Sequence, residues 1–222
     1  LGRGKYTDDL ELPNMACAAL VRCPYSHAKV LSIDVSEAEK VPGFLGCALP
    51  EEAPQAYFNC SGNPPSPLLM ADEKVLTTEP LTIGDRVAVV AAETEEAARA
   101  AAEAVKVEYE NLAPILDVKA ALADNAPAMQ PHLSDTNVVQ RREVSQGDIA
   151  VGEEKSDIIL EDHFVTPPMQ HTMIELTCCI CDFSDGEHMK IYSCSQTVFQ
   201  ERRILAELFG LKEVDVHIIK PL

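Results

Sequence analysis

The stretch MQHTMIELTCCIC, residues 169–181, combines a histidine, a glutamate and three cysteines, which are residue types that bind metals. Cys178 and Cys181 have the C-x-x-C spacing of a zinc or redox site. A structural zinc site needs a second ligand pair, but the chain has no other C-x-x-C and no H-x₃₋₅-H. The apolar flanks predict a strand, in which residues three apart lie on opposite faces. We therefore interpret both cysteines as small packing residues rather than ligands.

His171 and Glu175 in the same stretch lie four positions apart. On a helix they would share a face, but Pro167-Pro168 upstream and the predicted strand downstream disfavour a helix. They could still face one cavity if His171 lies in a loop and Glu175 on the strand. One imidazole and one carboxylate do not make a catalytic set, so a polar pair at a strand entrance remains the simpler interpretation.

The run Ser193-Cys194-Ser195-Gln196-Thr197 connects a predicted strand to a predicted helix. Side chains at such a junction are common ligand positions, because helix amides and loop side chains meet there. Gln196 would offer a neutral amide that can both donate and accept hydrogen bonds. Simple capping of the helix by Ser195 or Thr197 is the alternative.

Other chemistry-bearing residues form no recognisable site. The glycines of GRGKYTDDLELP lack the spacing of a phosphate-binding loop and follow no strand. The remaining histidines are scattered without ligand spacing and are interpreted as structural or exposed: His27, His132, His163, His188 and His217.

Composition limits the function classes. The 222 residues carry a net charge of −18, which disfavours nucleic acid and anionic membranes as partners. No apolar run approaches the ~20 residues that span a bilayer. The polar N-terminal stretch lacks a signal-peptide core, so we expect a cytoplasmic protein with reduced thiols despite its eight cysteines.

Apolar periodicity predicts the elements that position these residues. We expect strands at 16–21, 28–33 and 44–49, a short helix at 34–40 and an irregular loop at 50–72. Residues 86–110 predict a strand–helix–strand unit in which Thr94 caps an alanine-rich helix.

A polar, proline-containing stretch then predicts a linker at 126–137. After it we expect strands at 138–144, 157–165, 173–182, 188–194 and 214–219, and a helix that starts at Ser195 or Thr197 and ends at Phe209 before Gly210. The predicted fold class is α+β, in two pieces.

Several motifs, in order, resemble one known family. They are GKYTDDLELPNM, VRCPYSHAKVLSIDVSEAEKVPGF and PLTIGDRVAVVAAETEEAARAAAEAVKVEYENLAPILD in the first half, and NVVQRREVSQGDI, SDIILEDHFVTPPMQHTMIE and IYSCSQTVFQERRILAELFGL in the second. The chain resembles the start of the large molybdenum-binding subunit of the xanthine dehydrogenase / aldehyde oxidase family. The resemblance implies an α/β hammerhead domain at 1–125, the linker at 126–137, and at 138–222 the beginning of a mixed-sheet molybdopterin-binding domain.

That family hydroxylates heteroaromatic compounds or aldehydes with water as the oxygen source. The resemblance implies a molybdopterin–molybdenum cofactor, electron transfer to iron–sulfur clusters and possibly FAD on partner domains or subunits, and a purine-like substrate. The C-S-Q of this chain resembles the family's S-T-Q, which would place the Gln196 amide beside a molybdenum-bound oxo group. His171 and Glu175 match the family's H-x-x-x-E in a supporting role, with Glu175 nearer the cavity.

The family continues past the HIIKPL end into a glycine-rich cofactor segment and a distal catalytic glutamate. We therefore expect the 222 residues to be part of a longer subunit and, alone, to bind no cofactor and catalyse nothing. Aldehyde, nicotinate and carbon monoxide oxidoreductases of the same family remain alternatives. So does a non-catalytic docking module, which reading the gene beyond codon 222 would distinguish.

Overall fold

The computed structural model describes residues 2–60 and 70–221. Its first sheet is antiparallel, with β4 (Arg86–Ala92) between β1 (Cys17–Arg22) and β3 (Phe44–Ala48). The register pairs Leu20 with Val89 and Cys47 with Val90. Because the central strand is covered on both faces, RVAVVAA is a nearly continuous apolar run rather than an alternating one.

The helix α1 (Glu95–Ala104) covers this sheet and leads into β5 (Lys106–Asn111), which pairs antiparallel with β2 (Ala28–Asp34). The Thr94 hydroxyl accepts a hydrogen bond from the backbone N–H of Ala97 at 3.1 Å, which is the predicted cap. Ala98 and Ala101 are fully buried against the sheet, where a larger side chain would hold the helix away. The predicted strand–helix–strand unit is confirmed.

The second core lies in the C-terminal part. There β7 (Met189–Ser193) pairs antiparallel with β6 (Cys179–Asp182) and parallel with β8 (Val216–Ile219). The helix α4 (Val198–Phe209) makes the crossover between the two parallel strands and ends at Gly210, whose φ of 65° favours glycine. The apolar cluster of this part is Met189, Ile191, Ala206 and Val216.

Four predicted elements are wrong or shortened. Residues 138–144 and 157–165 form no strand, and the strand expected over 173–182 is reduced to β6. A strand needs a partner, and the described residues offer these segments none. The helix expected at 34–40 is a single 3-10 turn, Ala38–Lys40, because β2 continues through Asp34.

Two short helices were not predicted, α2 (Val118–Ala121) and α3 (Ile149–Glu154), and each begins at an aspartate cap. The irregular loop predicted for 50–72 lies partly outside the described residues, at 61–69. Its described remainder contains one 3-10 turn, Pro50–Glu52, and an isolated bridge between Phe58 and Glu73. The mixture of small sheets and helices confirms the α+β class.

No helix in the described ranges is long and apolar enough to cross a membrane.

Candidate functional site

Gln196 lies in the loop between the carboxyl end of β7 and the start of α4, where its side chain is exposed. Two serines shape this loop. The backbone N–H of Ser195 donates to Ser193 Oγ at 3.2 Å, and that of Thr197 donates to Ser195 Oγ at 3.1 Å. Within residues 2–60 and 70–221 the Gln196 amide makes no hydrogen bond, so its donors and acceptor are available to a ligand.

The helix that follows strengthens this position electrostatically. Thr197 occupies the N-cap position of α4, but its side chain makes no capping hydrogen bond. The first amides of a helix then remain free, and the helix dipole gives its N-terminus a partial positive charge. The loop therefore favours a ligand with acceptor atoms. Helix capping was the alternative role for Ser195 and Thr197. Of the two side chains, only that of Ser195 makes such a bond, by accepting from the Thr197 N–H within the loop.

The cysteines of the opening stretch lie close to this loop. In β6, Cys179 pairs with Ser193 and Cys181 with Ile191, while Cys178 comes just before the strand. The Cys194 thiol lies 3.9 Å from the backbone carbonyl oxygen of Cys178, just beyond the end of the β6–β7 ladder.

Cys181 is exposed, so its interpretation as a packing residue is wrong, whereas Cys178 is half-buried. Desolvation by neighbouring atoms raises the pKa of the Cys178, Cys179 and Cys181 thiols, and the thiolate rather than the thiol binds metals. In the described part of the chain, no group of three or more His, Cys, Asp or Glu residues is arranged to hold a metal ion.

Glu175 and His171 are not on a strand, because β6 begins only at Cys179. His171 is exposed, whereas Glu175 is half-buried and its Oε1 is fully covered without a hydrogen-bond partner among the described residues. The structure therefore does not bring the predicted pair together by a hydrogen bond. It does place the Glu175 carboxylate close enough to Cys178 to contribute to the raised pKa of that thiol.

Two further buried polar atoms without a described partner, Glu201 Oε2 and Arg202 Nε, belong to the first turns of α4. Leaving such an atom unsatisfied costs about 1–3 kcal/mol. The Gln196 amide fits a group with acceptor atoms, while the carboxylates of Glu175 and Glu201 call for donors.

Some features of the molecule gave no signal in the sequence. Gln200 is buried at 3% exposure and its Nε2 donates to the Cys60 carbonyl at 2.9 Å. His132 is exposed, as expected, but its ring stacks on Tyr57 with centroids 3.8 Å apart. This stack borders a cavity of about 460 Å³, and a second cavity of about 620 Å³ adjoins it. The ring stack and the two cavities depend on tertiary packing, which the spacing of residues in the sequence does not indicate.

Comparison with known proteins finds two family profiles on this chain. The family described as "Aldehyde oxidase and xanthine dehydrogenase, a/b hammerhead domain" matches residues 1–113. The family described as "Molybdopterin cofactor-binding domain" matches residues 131–222, which include the Gln196 loop.

Curated relatives and solved structures agree with these profiles. A probable xanthine dehydrogenase subunit of Bacillus subtilis (strain 168) is 31% identical over 219 residues, which cover 98% of this chain and 28% of the relative. "Nicotinate dehydrogenase large molybdopterin subunit" of Eubacterium barkeri is 28% identical and is covered to 50%. The aldehyde oxidoreductase structure from Desulfovibrio gigas superposes with a TM-score of 0.89 at 26% identity, over all of this chain and 25% of that one. The chain thus spans between about a quarter and a half of these relatives.

Proposed function

Since the chain belongs to the aldehyde oxidase and xanthine dehydrogenase family, we propose that it acts as part of the molybdenum-binding subunit of a hydroxylase. The resemblance drawn from its motifs is thereby confirmed at the level of the family. In the proposal, residues 1–125 form the hammerhead domain, 126–137 the linker, and 138–222 one wall of the molybdenum cofactor site.

The observation that supports this proposal best is the available amide of Gln196 at the carboxyl end of β7, within the region that matches the cofactor-binding family. Its N–H would donate a hydrogen bond to an acceptor atom of the cofactor without adding charge. The N-terminus of α4 stabilises negative charge at the same place. When bound, the cofactor supplies the two-electron chemistry by which oxygen from water enters a C–H bond of the substrate.

For the substrate, we propose a purine-like heteroaromatic compound. Relatives named xanthine dehydrogenase and nicotinate dehydrogenase act on nitrogen heterocycles according to their names, and they match nearly the whole of this chain. An aldehyde is the second candidate, because the Desulfovibrio gigas aldehyde oxidoreductase shares the fold at 26% identity. A substrate screen on the purified enzyme complex, with xanthine, nicotinate and aldehydes as separate arms, distinguishes the two.

We further propose that the electrons leave to iron–sulfur clusters, and to FAD where present, on partner domains or subunits. The cytoplasm is the proposed location, because its reducing conditions suit the eight free cysteines. The charge of −18 disfavours nucleic acid as a partner by electrostatic repulsion.

The test is the substitution Gln196→Ala in the protein as its gene encodes it, with its natural partner subunits. We expect kcat to fall on the order of tenfold to a hundredfold, as when an orienting hydrogen bond at a metal site is removed, while molybdenum content stays near that of the unsubstituted protein. The matched control is Gln146→Ala, an exposed glutamine outside the loop. Equal kcat values for the two variants, or a protein purified without molybdenum, would contradict the proposal.

A further inference from the structure

Cys178 and Cys194 occupy opposite positions where the β6–β7 ladder ends. The last pair of that antiparallel ladder is Cys179 with Ser193, so the next residues on the two strands are Cys178 and Cys194. Residues placed opposite each other in this way have Cα atoms about 4.5–5.5 Å apart, which lies within the range of about 4.4–6.8 Å found in disulfides. The register therefore allows a disulfide between these two cysteines.

The side chain of Cys194 is directed toward β6. Its Sγ lies 3.9 Å from the backbone carbonyl oxygen of Cys178. Desolvation contributes most to the raised pKa of the Cys178 thiol, and the negative charges of Asp8 and of an ionised Cys194 add to it, an influence that requires the two thiols to be near each other. Both cysteines are half-buried, so neither is sealed inside a core, and both are free thiols in the structure.

The neighbouring cysteines fit a disulfide less well. Cys179 is near enough to Cys194 to have its own thiol pKa raised further by that residue. The two lie at successive levels of the ladder, however, where side chains point to opposite faces of the sheet. Cys179 and Cys181 share one face of β6 two positions apart, about 6.6 Å between Cα atoms, with side chains that stand parallel instead of converging.

We infer that Cys178 and Cys194 form a reversible dithiol–disulfide pair that controls the Gln196 loop. Cys194 directly precedes Ser195, whose N–H and Oγ take part in the hydrogen bonds of 3.2 and 3.1 Å that shape this loop. A disulfide draws Cys194 toward β6, because the two sulfur atoms must come to about 2.05 Å from each other. The Gln196 amide is displaced with it. The effect on activity rests on the proposed function, whereas the pairing of the thiols does not.

The oxidant that suits this pair is a hydroperoxide such as hydrogen peroxide, which is small enough to reach half-buried thiols. One thiolate attacks a peroxide oxygen, the O–O bond breaks, and a sulfenic acid and water form. The second thiol attacks the sulfenic sulfur, the S–O bond breaks, and a second water leaves. The two sulfurs together lose two electrons to the peroxide, and both thiol protons end in water. A small dithiol reverses the oxidation by exchange.

Peptide mapping of the native enzyme complex tests the pairing. Trypsin cuts after Lys190 and so separates the two cysteines into peptides 156–190 and 191–202. After treatment with hydrogen peroxide and alkylation of the remaining thiols, we expect mass spectrometry to find these peptides joined and dithiothreitol to release them. Peptides that stay separate, or a link from 191–202 to any other part of the chain, would overturn the inference.

Substitutions assign the link within peptide 156–190, which contains three cysteines. Cys178→Ser should abolish the link. The matched controls Cys179→Ser and Cys181→Ser, on the opposite face of β6, should retain it. A link that persists in Cys178→Ser and is lost in Cys179→Ser would overturn the inference.

The kcat of the same complex reports whether the loop responds. Hydrogen peroxide should lower kcat about tenfold, within the range for a lost orienting hydrogen bond at a metal site, and dithiothreitol should restore it. Cys178→Ser should keep its kcat under the same treatment. An unchanged kcat in a fully linked protein, or an equal loss in Cys178→Ser, would overturn control of the loop. A reversible link in a complex without molybdenum would support the pairing and refute the proposed function alone.

Discussion

At the turn between β6 and β7, Asp185 organises a small hydrogen-bond network. Its Oδ1 accepts from the backbone N–H groups of Glu187 at 2.9 Å and His188 at 2.7 Å, and its Oδ2 lies 3.0 Å from His188 Nδ1. These hydrogen bonds hold the pKa of the Asp185 carboxyl well below its usual range, and the carboxylate raises the pKa of His188 above 6.5. Sequence spacing alone presents His188 as one of several scattered histidines, because a turn that brings residues three apart into contact is not visible in a count of ligands.

The substitution Asp185→Asn should lower the pKa of His188, because it removes the negative charge that favours the imidazolium. The chemical shift of the His188 ring protons, followed by NMR from pH 4 to pH 9, measures this. The pair stabilises the fold between the unfolded pKa of Asp185, about 3.8, and that of His188, about 6.5. This stabilisation is lost when the pH drops through the lowered pKa of Asp185. It is also lost when the pH increases through the raised pKa of His188. Asp124→Asn, at another exposed aspartate, should leave the titration of His188 unchanged.

At the scale of elements, prediction from sequence succeeds where an element carries its own determinants. Thr94, a first turn of glutamates and an alanine face specify α1, and the buried run of β4 is evident from its apolar residues. It fails at 138–144 and 157–165, where the pattern is that of a strand but the partner is missing from the described residues. The sequence also predicts too long a strand at β6, because the residues around Glu175 are apolar. No neighbouring strand in the described ranges pairs with them. The position of Gln196 after β7 was predictable from the strand–helix junction, while its contacts with a cofactor remain a prediction.

Close packing of α1 on the first sheet leads to a test at this scale. Ala101→Leu should lower the free energy of unfolding by about 1–3 kcal/mol, because the added carbons enter a site without free volume and Ala101 is fully buried. Urea unfolding followed by circular dichroism measures the change. Ala100→Leu, one position away on the exposed face, should change stability by less than about 0.5 kcal/mol. A similar loss in both variants would mean that helix propensity rather than packing is responsible.

At the scale of the whole molecule, few described contacts join the two parts of the chain. The Gln200 side chain reaches the backbone of Cys60, 140 positions earlier, and the turn Thr7–Asp9 contacts β6. The sequence predicts two parts but not these links, since they depend on how the parts come together. The domain boundaries at 125 and 138 remain predictions.

Gln200→Ala tests the main link. It leaves the carbonyl of Cys60 without its donor and should lower the free energy of unfolding of the C-terminal part by about 1–3 kcal/mol. Amide exchange of β7 and β8, which pack with α4, should accelerate accordingly, whereas exchange of β4 should not. Glu207→Ala, at a largely exposed site on the same helix, should leave both unchanged. Equal acceleration in β4 and β7 would show that the two parts unfold as one.

The exposed side chains of Ile158, Leu160 and Phe164 have a consequence for biosynthesis. A ribosome adds about 5–20 residues per second, so these side chains stay in water for seconds while residues 166–222 are added. During that time the nascent chain exposes an aggregation-prone segment to other nascent chains nearby. The acidic residues within the run, Asp157, Glu161 and Asp162, then act as gatekeepers that limit this aggregation.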